Sequence, residues 1–160
     1  MLFTGQNEYS IDAQHRLAIP AKIRSGMDPA VDGEAFFATV GPNGAIWLWP
    51  ERTFERMAGD IEATLVPAAE MMDFDEITFP DAEHLELDSA GRVRLPESMM
   101  AEAGLESRVI IAGMRNHLEL WEPEQWQARH QEKAARRAEI VQRARPHLDQ
   151  PRRADEGRSG

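Results

Sequence analysis

Two segments of the sequence combine an acid, a base and alternating apolar residues in the same order. YSIDAQHRLAIP at residues 9–20 and LELDSAGRVRLP at residues 85–96 align at a constant offset of 76 positions. In both, an aspartate is followed four residues later by an arginine. Aspartate at the start of a tight turn accepts hydrogen bonds from backbone N–H groups two residues on, and arginine can serve a carboxylate, a phosphate or a guanine edge. The repeat therefore predicts two similar turns, each followed directly by an arginine.

Each of these arginines has two interpretations. Arg16 can contact DNA, or it can pair with Asp12 and hold the turn, and DNA contact is the favoured role. Arg92 can likewise contact DNA or pair with Asp88, and for Arg92 the pairing that holds the turn is the favoured role. Gly91 suits the second turn because glycine adopts positive φ without steric cost. The residues assigned to the structure of the turns are Asp12, Asp88, Gly91 and Arg92.

Polar residues near the first turn are further candidates for DNA contact. Lys22 and Arg24 follow on a short predicted helix, and Arg24 is the better candidate because it lies two residues before the predicted end at Gly26. The alternative for both is an ordinary solvated helix face. His15 stands where the second turn has glycine, so it either donates to a phosphate when protonated or simply tolerates the turn. The DNA-binding candidates are Gln14, His15, Arg16, Lys22 and Arg24.

No pattern in the sequence predicts catalysis or metal binding. Asp12 and Asp88 are related carboxylates, but an arginine four residues on favours the ionised form and argues against proton transfer. The five histidines have no ligand spacing, and there is no cysteine, phosphate-binding loop or nucleophile motif. We expect no enzyme activity, no cofactor, no metal site and no small-molecule substrate.

The elements around the two turns repeat as well. Each half continues with a short helix that starts at a proline and stops at a glycine, and then with a two-stranded hairpin that ends in Leu-Trp. Trp49 and Trp121 of these pairs are predicted to anchor the core rather than to stack on bases. The predicted elements are strands at 8–11, 16–19, 35–40, 45–49, 85–87, 92–95, 108–112 and 117–121 and helices at 21–25 and 96–103.

Three further segments connect or follow the halves. Residues 51–65 have apolar residues at helical spacing and predict an amphipathic helix. Residues 70–83 form an acidic connector, with a short strand predicted at 77–79. Residues 124–145 predict a final helix with few apolar positions, and the polar composition from Pro146 onward predicts disorder.

The composition limits the partners. The chain has 160 residues and a formal net charge of −10. No apolar run approaches the ~20 residues of a membrane span and the start lacks a signal-peptide pattern, so we expect a cytoplasmic protein with no membrane partner. An acidic protein repels DNA unless its charge is segregated. It is segregated: residues 70–88 carry eight acidic and no basic side chains, whereas residues 124–160 carry nine basic and six acidic ones.

Taken together, the repeated segments and the hairpins ending in Leu-Trp resemble the MraZ family of bacterial regulators, which consist of two SpoVT-AbrB-type repeats. The resemblance covers residues 2–126. The family pattern has a basic residue and a glycine where this sequence has Gln14 and His15, and an arginine-rich helix where this sequence has the acidic connector. The motifs that carry the resemblance are Ile11-Asp12 with residues 16–24, residues 87–96, Ala103-Gly104-Leu105 and Glu119-Leu120-Trp121.

The resemblance implies an α+β, mainly β fold. Its form is a swapped-hairpin, AbrB-like β-barrel built from two internal repeats, with short helices and a C-terminal helix. Because each repeat is too small to bury a core alone, we expect the halves to pack together. The implied divisions are repeat 1 at 6–53, a helix and acidic connector at 54–82, repeat 2 at 83–126, and a C-terminal helix with a disordered tail at 127–160.

The resemblance also implies a function. It predicts a sequence-specific DNA-binding transcriptional regulator with a repressor role, acting as a homo-oligomeric ring on tandem sites upstream of the division and cell-wall gene cluster. The implied partners are double-stranded DNA and further copies of the chain, and the implied location is the cytoplasmic nucleoid. A second hypothesis is an oligomeric interaction or structural protein with the same fold that has lost specific DNA binding. The acidic composition, with Gln14 and His15, motivates it.

Overall fold

The two halves of the chain contain the same order of elements in the computed structural model, which describes residues 1–149. The first half contains β1 (Gln6–Ser10), β2 (Arg16–Ala18), α1 (Ala21–Gly26), β3 (Ala35–Val40), β4 (Ile46–Pro50) and α2 (Glu51–Gly59). After α3 (Ala69–Thr78), the second half contains β5 (Glu83–Glu86), β6 (Arg92–Arg94), α4 (Glu97–Ala103), β7 (Arg108–Gly113) and β8 (Leu118–Trp121). The last two helices are α5 (Pro123–Ala135) and α6 (Arg137–Leu148).

The strands and short helices predicted for the two repeats are confirmed, with ends shifted by no more than two residues. Proline precedes both short helices, at Pro20 and Pro96. The predicted stop at Gly104 is also confirmed: it takes the left-handed conformation with φ of 66°. Its neighbour Leu105 donates its N–H to the carbonyl of Met100 at 2.9 Å, which closes the helix end.

Two predictions between the halves are wrong. The helix predicted at 51–65 ends early, at Gly59, because glycine costs about 1 kcal/mol in a helix and the residues after it have few buried partners. The strand predicted at 77–79 is not formed, since Ile77 and Thr78 end α3 and Phe79 caps it. The part of the acidic connector that precedes Ile77 contains the good helix formers Glu70, Met71, Met72 and Glu76, and their helical preference exceeds the β preference of the three residues at 77–79.

The C-terminal prediction also needs correction. The single helix predicted at 124–145 is two helices, separated at Arg136, whose φ of −109° departs from helical geometry. Pro146 lies inside α6 instead of starting an irregular segment. The rest of the predicted tail, residues 150–160, lies outside the described residues.

The strands form two antiparallel sheets that mix the halves. The six-stranded sheet has the order β1-β7-β8-β4-β3-β5, and the two-stranded sheet pairs β2 with β6. The first strand of each half thus pairs with the hairpin of the other, β1 with β7 and β5 with β3. The mainly β architecture with helices is confirmed. Within residues 1–149 the larger sheet has free ends at β1 and β5, so these strands form no closed barrel.

Both halves contribute to one apolar core. Leu17 and Val93 face each other across β2 and β6 and have 0% exposure. Each fully buried side chain of this kind contributes about 1.5–3 kcal/mol relative to leaving it in water. The halves therefore share a core, as their size predicts. Its other fully buried members include Ile19, Phe36, Ile46, Leu48, Leu95, Val109, Leu118 and Leu120.

The chain divides into two compact units, Met1–Pro123 and a second that begins at Glu124. In the second unit, Arg136 pairs with Glu132 at 2.7 Å and with Glu139 at 3.8 Å across the break between α5 and α6. No residue of α6 is buried. In the described part of the chain, no helix is long and apolar enough to cross a membrane.

Candidate nucleic-acid interface

The first turn is held by its aspartate. Asp12 Oδ1 accepts the backbone N–H groups of Gln14 and Arg16, both at 2.9 Å, and Asp12 Oδ2 accepts Arg16 Nε at 2.7 Å. The Arg16 N–H is the strongest of the influences that lower the pKa of Asp12 below its ordinary value, and the guanidinium adds to it. The carboxylate is therefore ionised and fully engaged.

The second turn repeats this geometry. Asp88 Oδ1 accepts the N–H groups of Ala90 and Arg92, both at 2.9 Å, and Asp88 Oδ2 accepts Arg92 Nε at 2.9 Å. The Arg92 N–H is again the main cause of a lowered pKa of the aspartate. Two carboxylates that are ionised, engaged and in separate turns do not form an acid–base pair.

The arginines of the two turns use only one side of their guanidinium groups. Arg16 and Arg92 each pair through Nε, and within residues 1–149 no hydrogen bond engages their terminal nitrogens. Their side chains are 30% and 34% exposed. Pairing with the aspartate and contact with DNA are therefore compatible roles, because the aspartate fixes the arginine while Nη1 and Nη2 stay available to a ligand.

The turns are also linked to each other. His15 and Gly91 occupy equivalent positions with φ of 62° and 75°, in the left-handed region. The carbonyl of Gly91 accepts the N–H of Ile19 at 2.9 Å, and the carbonyl of His15 accepts the N–H of Leu95 at 2.8 Å. Each turn thus closes onto the strand end of the other half, and the two turns are fixed relative to each other.

Strands β2 and β6 form a ribbon with a basic outer face. Arg16 lies opposite Arg94, and Ala18 lies opposite Arg92. Their side chains point away from the core, since the alternate residues Leu17 and Val93 are fully buried. Three arginines therefore share one face of the ribbon. Arg94 was not among the DNA-binding residues predicted from the sequence, and its equivalent in the first half is Ala18; the Arg-Val-Arg alternation in β6 is the signal that could have found it.

The antiparallel register places different helices beside the two turns. The first turn lies at the end of the ribbon where α4 begins, and the second turn lies where α1 begins. The predicted DNA-binding set is therefore divided: Gln14, His15 and Arg16 lie at one end, and Lys22 and Arg24 lie at the other, beside Arg92. A depression beside the first turn is lined by Asp12, Ala13, His15, Glu97, Met100 and Glu106. The end with α1 is consequently more basic than the end with α4.

Arg24 is docked on the second turn. Its Nε donates to the carbonyl of Ile19 at 3.0 Å. Its guanidinium covers Gly91 so closely that a Cβ at that position would lie 2.6 Å from Arg24 Cζ. Lys22 is exposed on the same helix, as is the side chain of Gln14 beside the first turn. Glycine suits position 91 because its φ is positive, and a Cβ there would also force the Arg24 guanidinium to shift.

A buried polar cluster lies in the hairpins and was missed from the sequence. Glu119, 4% exposed, accepts hydrogen bonds from Asn43 Nδ2 at 2.9 Å and Trp121 Nε1 at 3.1 Å, and its Oε2 lies 2.9 Å from His117 Nε2. The His117 ring stacks against the indoles of both Trp47 and Trp49, with a centroid distance of 4.4 Å to each. Trp121 is the buried anchor that was predicted, whereas half-buried Trp49 stacks on a histidine.

No metal centre accompanies these clusters in the described residues: no group of three or more His, Cys, Asp or Glu side chains is placed to hold an ion there. The outer face of the β2–β6 ribbon instead presents fixed positive charge and hydrogen-bond donors, which come from Arg16, Arg92 and Arg94. Such a surface suits a polyanion, because its arginine forks match phosphate oxygens and guanine edges.

Comparison with known proteins identifies the family. The family model described as "MraZ protein, putative antitoxin-like" matches residues 2–75 and 78–146, most of the chain. The chain belongs to the MraZ family. This confirms the resemblance seen in the repeated motifs.

Similar relatives are bacterial proteins that carry one name. The MraZ-family chain is 31% identical over 139 residues to "Transcriptional regulator MraZ" of Symbiobacterium thermophilum, covering 87% of this chain and 97% of that protein. Proteins of the same name from Heliobacterium modesticaldum and Thermomicrobium roseum are each 32% identical, over 84% and 89% of this chain and 90% and 96% of theirs. The relatives agree with the regulator class that the motifs predict.

Proposed function

We propose that this MraZ-family chain is a sequence-specific DNA-binding transcriptional regulator whose DNA face is the outer face of the β2–β6 ribbon with its two turns. The observation that carries the proposal is the register of Arg16, Arg92 and Arg94 on one exposed face. Aspartates fix two of these arginines while their terminal nitrogens remain available. A fixed side chain loses less conformational entropy on binding.

A two-stranded antiparallel ribbon is one of the elements by which proteins read DNA. The major groove of B-DNA admits a two-stranded antiparallel ribbon, and an arginine fork can bond both O6 and N7 of a guanine. We assign the base contacts to Arg16 and Arg94. Arg92 primarily holds its turn and contributes positive charge, while the phosphate contacts fall to Gln14, His15, Lys22 and Arg24, which flank the ribbon.

The wider proposal concerns the assembly. Three arginines on one subunit bind DNA weakly, and several identical faces on a homo-oligomeric ring would raise avidity at tandem sites without any new contact. Those sites are proposed to lie upstream of the division and cell-wall gene cluster, where the protein acts as a repressor on the cytoplasmic nucleoid. The exchange of β1 and β5 between the halves supports the swapped-hairpin relationship of the family.

The test compares single arginine variants on DNA that contains the tandem upstream sites, with a scrambled duplex as competitor. Arg16→Ala and Arg94→Ala should each weaken specific binding by about 5- to 150-fold, because a lost bidentate base contact costs about 1–3 kcal/mol. The matched control is Arg56→Ala, which removes an exposed arginine of α2 far from the ribbon in sequence. Equal affinity for all four proteins would reject the proposed face.

A salt series separates contacts to bases from contacts to phosphates. Lys22→Ala should weaken binding to specific and scrambled DNA alike and reduce the salt slope by about one. The alternative function is an oligomeric interaction protein without specific DNA binding, and acidic α4 beside the first turn favours it. That alternative predicts no preference for the tandem sites over the scrambled duplex at any salt concentration.

A further inference from the structure

The second unit of the chain, which begins at Glu124, differs from the first in its balance of charge. Residues 1–123 carry 22 acidic and 9 basic side chains, whereas residues 124–160 carry 6 acidic and 9 basic ones. Duplex DNA carries one negative charge per ~1.7 Å of its axis, so net negative charge on a protein repels it and net positive charge attracts it. The second unit therefore has the net charge that favours binding to DNA.

Ion pairs neutralise one side of α6 in this unit. Glu139 Oε1 lies 3.7 Å from Arg143 Nη1 and 3.8 Å from Arg136 Nη1. Glu139 is the one acidic residue within α6. Val141 is two residues from both Glu139 and Arg143, so at about 100° per residue it points to the opposite side of the helix. The acidic side chain of α6 therefore lies away from the side that contains Val141.

That opposite side of α6 presents two arginines whose charge is not neutralised. We call it the α6 basic face and define it by Arg137, Ala138, Val141, Gln142 and Arg145, which line one surface and are all exposed. Among residues 1–149, neither of these arginines takes part in an ion pair. Asp149, one turn beyond Arg145, donates its backbone N–H to the carbonyl of Arg145 at 3.1 Å. Both guanidinium groups are therefore available to an anion.

The spacing of the two arginines fits a DNA duplex. Because Arg137 and Arg145 are eight residues apart in the helix, they are separated by about 12 Å along its axis. The major groove of B-DNA is also about 12 Å wide, so the two guanidinium groups can reach phosphates on its two edges. An arginine fork bonds two oxygens of one phosphate, which makes such a contact stronger than that of a neutral donor. The α6 basic face thus matches DNA in spacing as well as in charge.

An anionic membrane surface is the other large polyanion that a basic helix can bind, but α6 has a different pattern. Membrane-surface helices separate a basic face from an apolar face rich in Trp, Phe and Leu. In α6 the arginines share their face with Val141, and the helix contains no aromatic residue. Its exposed large apolar side chains are Val141 and Leu148. The mixture of basic and apolar residues on one face therefore favours DNA over a membrane.

We propose that the α6 basic face binds the phosphate backbone of duplex DNA through Arg137 and Arg145. Phosphate contacts carry no sequence information, so this face adds affinity for any duplex, whereas the β2–β6 ribbon reads the sequence. The inference rests on the DNA-binding function proposed above and goes beyond it, because it assigns general affinity and sequence preference to different units of the chain.

The test measures how the affinity of the full-length protein for a scrambled duplex and for the tandem-site duplex changes between about 50 and 200 mM salt. Each lost phosphate contact lowers the slope of log affinity against log salt by about 0.9, so Arg137→Ala with Arg145→Ala should lower it by about two on both duplexes. The preference for the tandem sites should stay unchanged. Arg137→Lys with Arg145→Lys should retain the slope, since a phosphate contact needs the positive charge.

The matched control is Arg143→Ala, which removes the same charge from the opposite side of the same helix, where it pairs with Glu139. Its slope should stay close to that of wild type, whereas Arg137→Ala and Arg145→Ala should each lose about 0.9. Alanine favours helix, so α6 should persist in every variant, as circular dichroism would verify. The proposal is overturned if the double alanine variant keeps the wild-type slope, or if Arg143→Ala lowers the slope as much as either single variant.

Two further measurements separate this inference from its alternatives. Vesicles of phosphatidylcholine with phosphatidylserine test the membrane: vesicle binding that the double alanine variant loses, with an unchanged DNA slope, would assign the face to a membrane. Arg16→Ala tests the ribbon, because it should weaken the preference for the tandem sites and leave the contribution of α6 in place. Loss of that preference together with an unchanged slope in the double alanine variant rejects the α6 face alone. A wild-type protein that binds neither duplex rejects both proposals.

Discussion

Glu119 is a buried residue that joins the two hairpins through its ionised carboxylate. Burial opposes its ionisation, but hydrogen bonds from His117, Asn43 and Trp121 outweigh that and lower its pKa below the ordinary value. Because its oxygens accept several donors, the carboxylate joins the two hairpins: Asn43 follows β3, and His117 and Trp121 belong to the second hairpin. The cluster therefore fixes how the equivalent hairpins of the two halves meet.

Replacing Glu119 with glutamine should lower the free energy of unfolding by about 1–3 kcal/mol, because the amide leaves a buried donor without an acceptor. Chemical denaturation of this variant, with Glu55→Gln at an exposed position of α2 as the control, measures this cost.

The stability that Glu119 contributes should depend on pH with a definite sign. The lowered pKa means that the stabilisation is present above the ordinary glutamate pKa of about 4.3 and is lost as pH falls below it. If Glu119→Gln and Glu55→Gln had equal free energies of unfolding between pH 4 and pH 7, the ionised Glu119 carboxylate would not stabilise the fold.

Equivalent positions in the two turns should respond differently to substitution. Gly91→Ala should cost about 1–2 kcal/mol, since an L-residue is strained at its φ of 75°, and the new Cβ displaces Arg24 from the Ile19 carbonyl. His15 already bears that strain at φ of 62°. His15→Gly should therefore change stability by less than about 1 kcal/mol, as relief of strain is offset by greater freedom of the unfolded chain. Thermal melts of the pair check the prediction, and a larger loss for His15→Gly would refute it.

At the scale of elements, the sequence was most informative where a pattern occurred twice. The turn, strand, helix and hairpin of each half could be predicted because local signals agree: aspartate at the turn, alternation in the strands, and proline and glycine at the helix ends. The short strand predicted at 77–79 was wrong because three residues give too little periodicity to distinguish strand from helix.

The site was less predictable than the elements, because its composition depends on pairing between distant segments. The register of β2 with β6 places Arg94 opposite Arg16 and moves Lys22 and Arg24 to the other end of the ribbon. Neither fact follows from spacing along one half. Glu119 likewise accepts a hydrogen bond from Asn43 of the other hairpin, 76 residues away in sequence. Spacing alone therefore predicted the candidates but not their grouping.

The ribbon should be a stability element as well as a binding face. Leu17 has 0% exposure at its centre, and Leu→Ala substitutions at such sites cost about 2–5 kcal/mol through lost transfer energy and the cavity that remains. Leu17→Ala should therefore show a large loss in denaturant midpoint. Ala18→Ser, on the exposed face of the same strand, is the control and should remain within about 0.5 kcal/mol of wild type. A small loss for Leu17→Ala would mean that the ribbon contributes little to the core.

At the scale of the whole molecule, the exchange of strands makes each half incomplete. Among the described residues 1–149, β1 pairs only with β7 of the second half, and β5 pairs only with β3 of the first. Leu17 faces Val93 across the ribbon. A half on its own would expose these edges and apolar side chains, and a segment of that size buries too little surface to offset the entropy of ordering it.

Residues 1–66 expressed alone should therefore be unfolded, with random-coil amide shifts and no cooperative melt.

A complementary experiment keeps the contacts between the two halves and removes only the covalent link that joins them. A protease site inserted at Leu65, which is fully exposed, should be cut without loss of structure, because the interleaved sheets hold the fragments together. The cut protein should melt cooperatively but at a lower and concentration-dependent temperature, since unfolding now separates two chains. A stable folded monomer from residues 1–66, or fragments that separate at once after cleavage, would show that the halves are independent domains rather than one core.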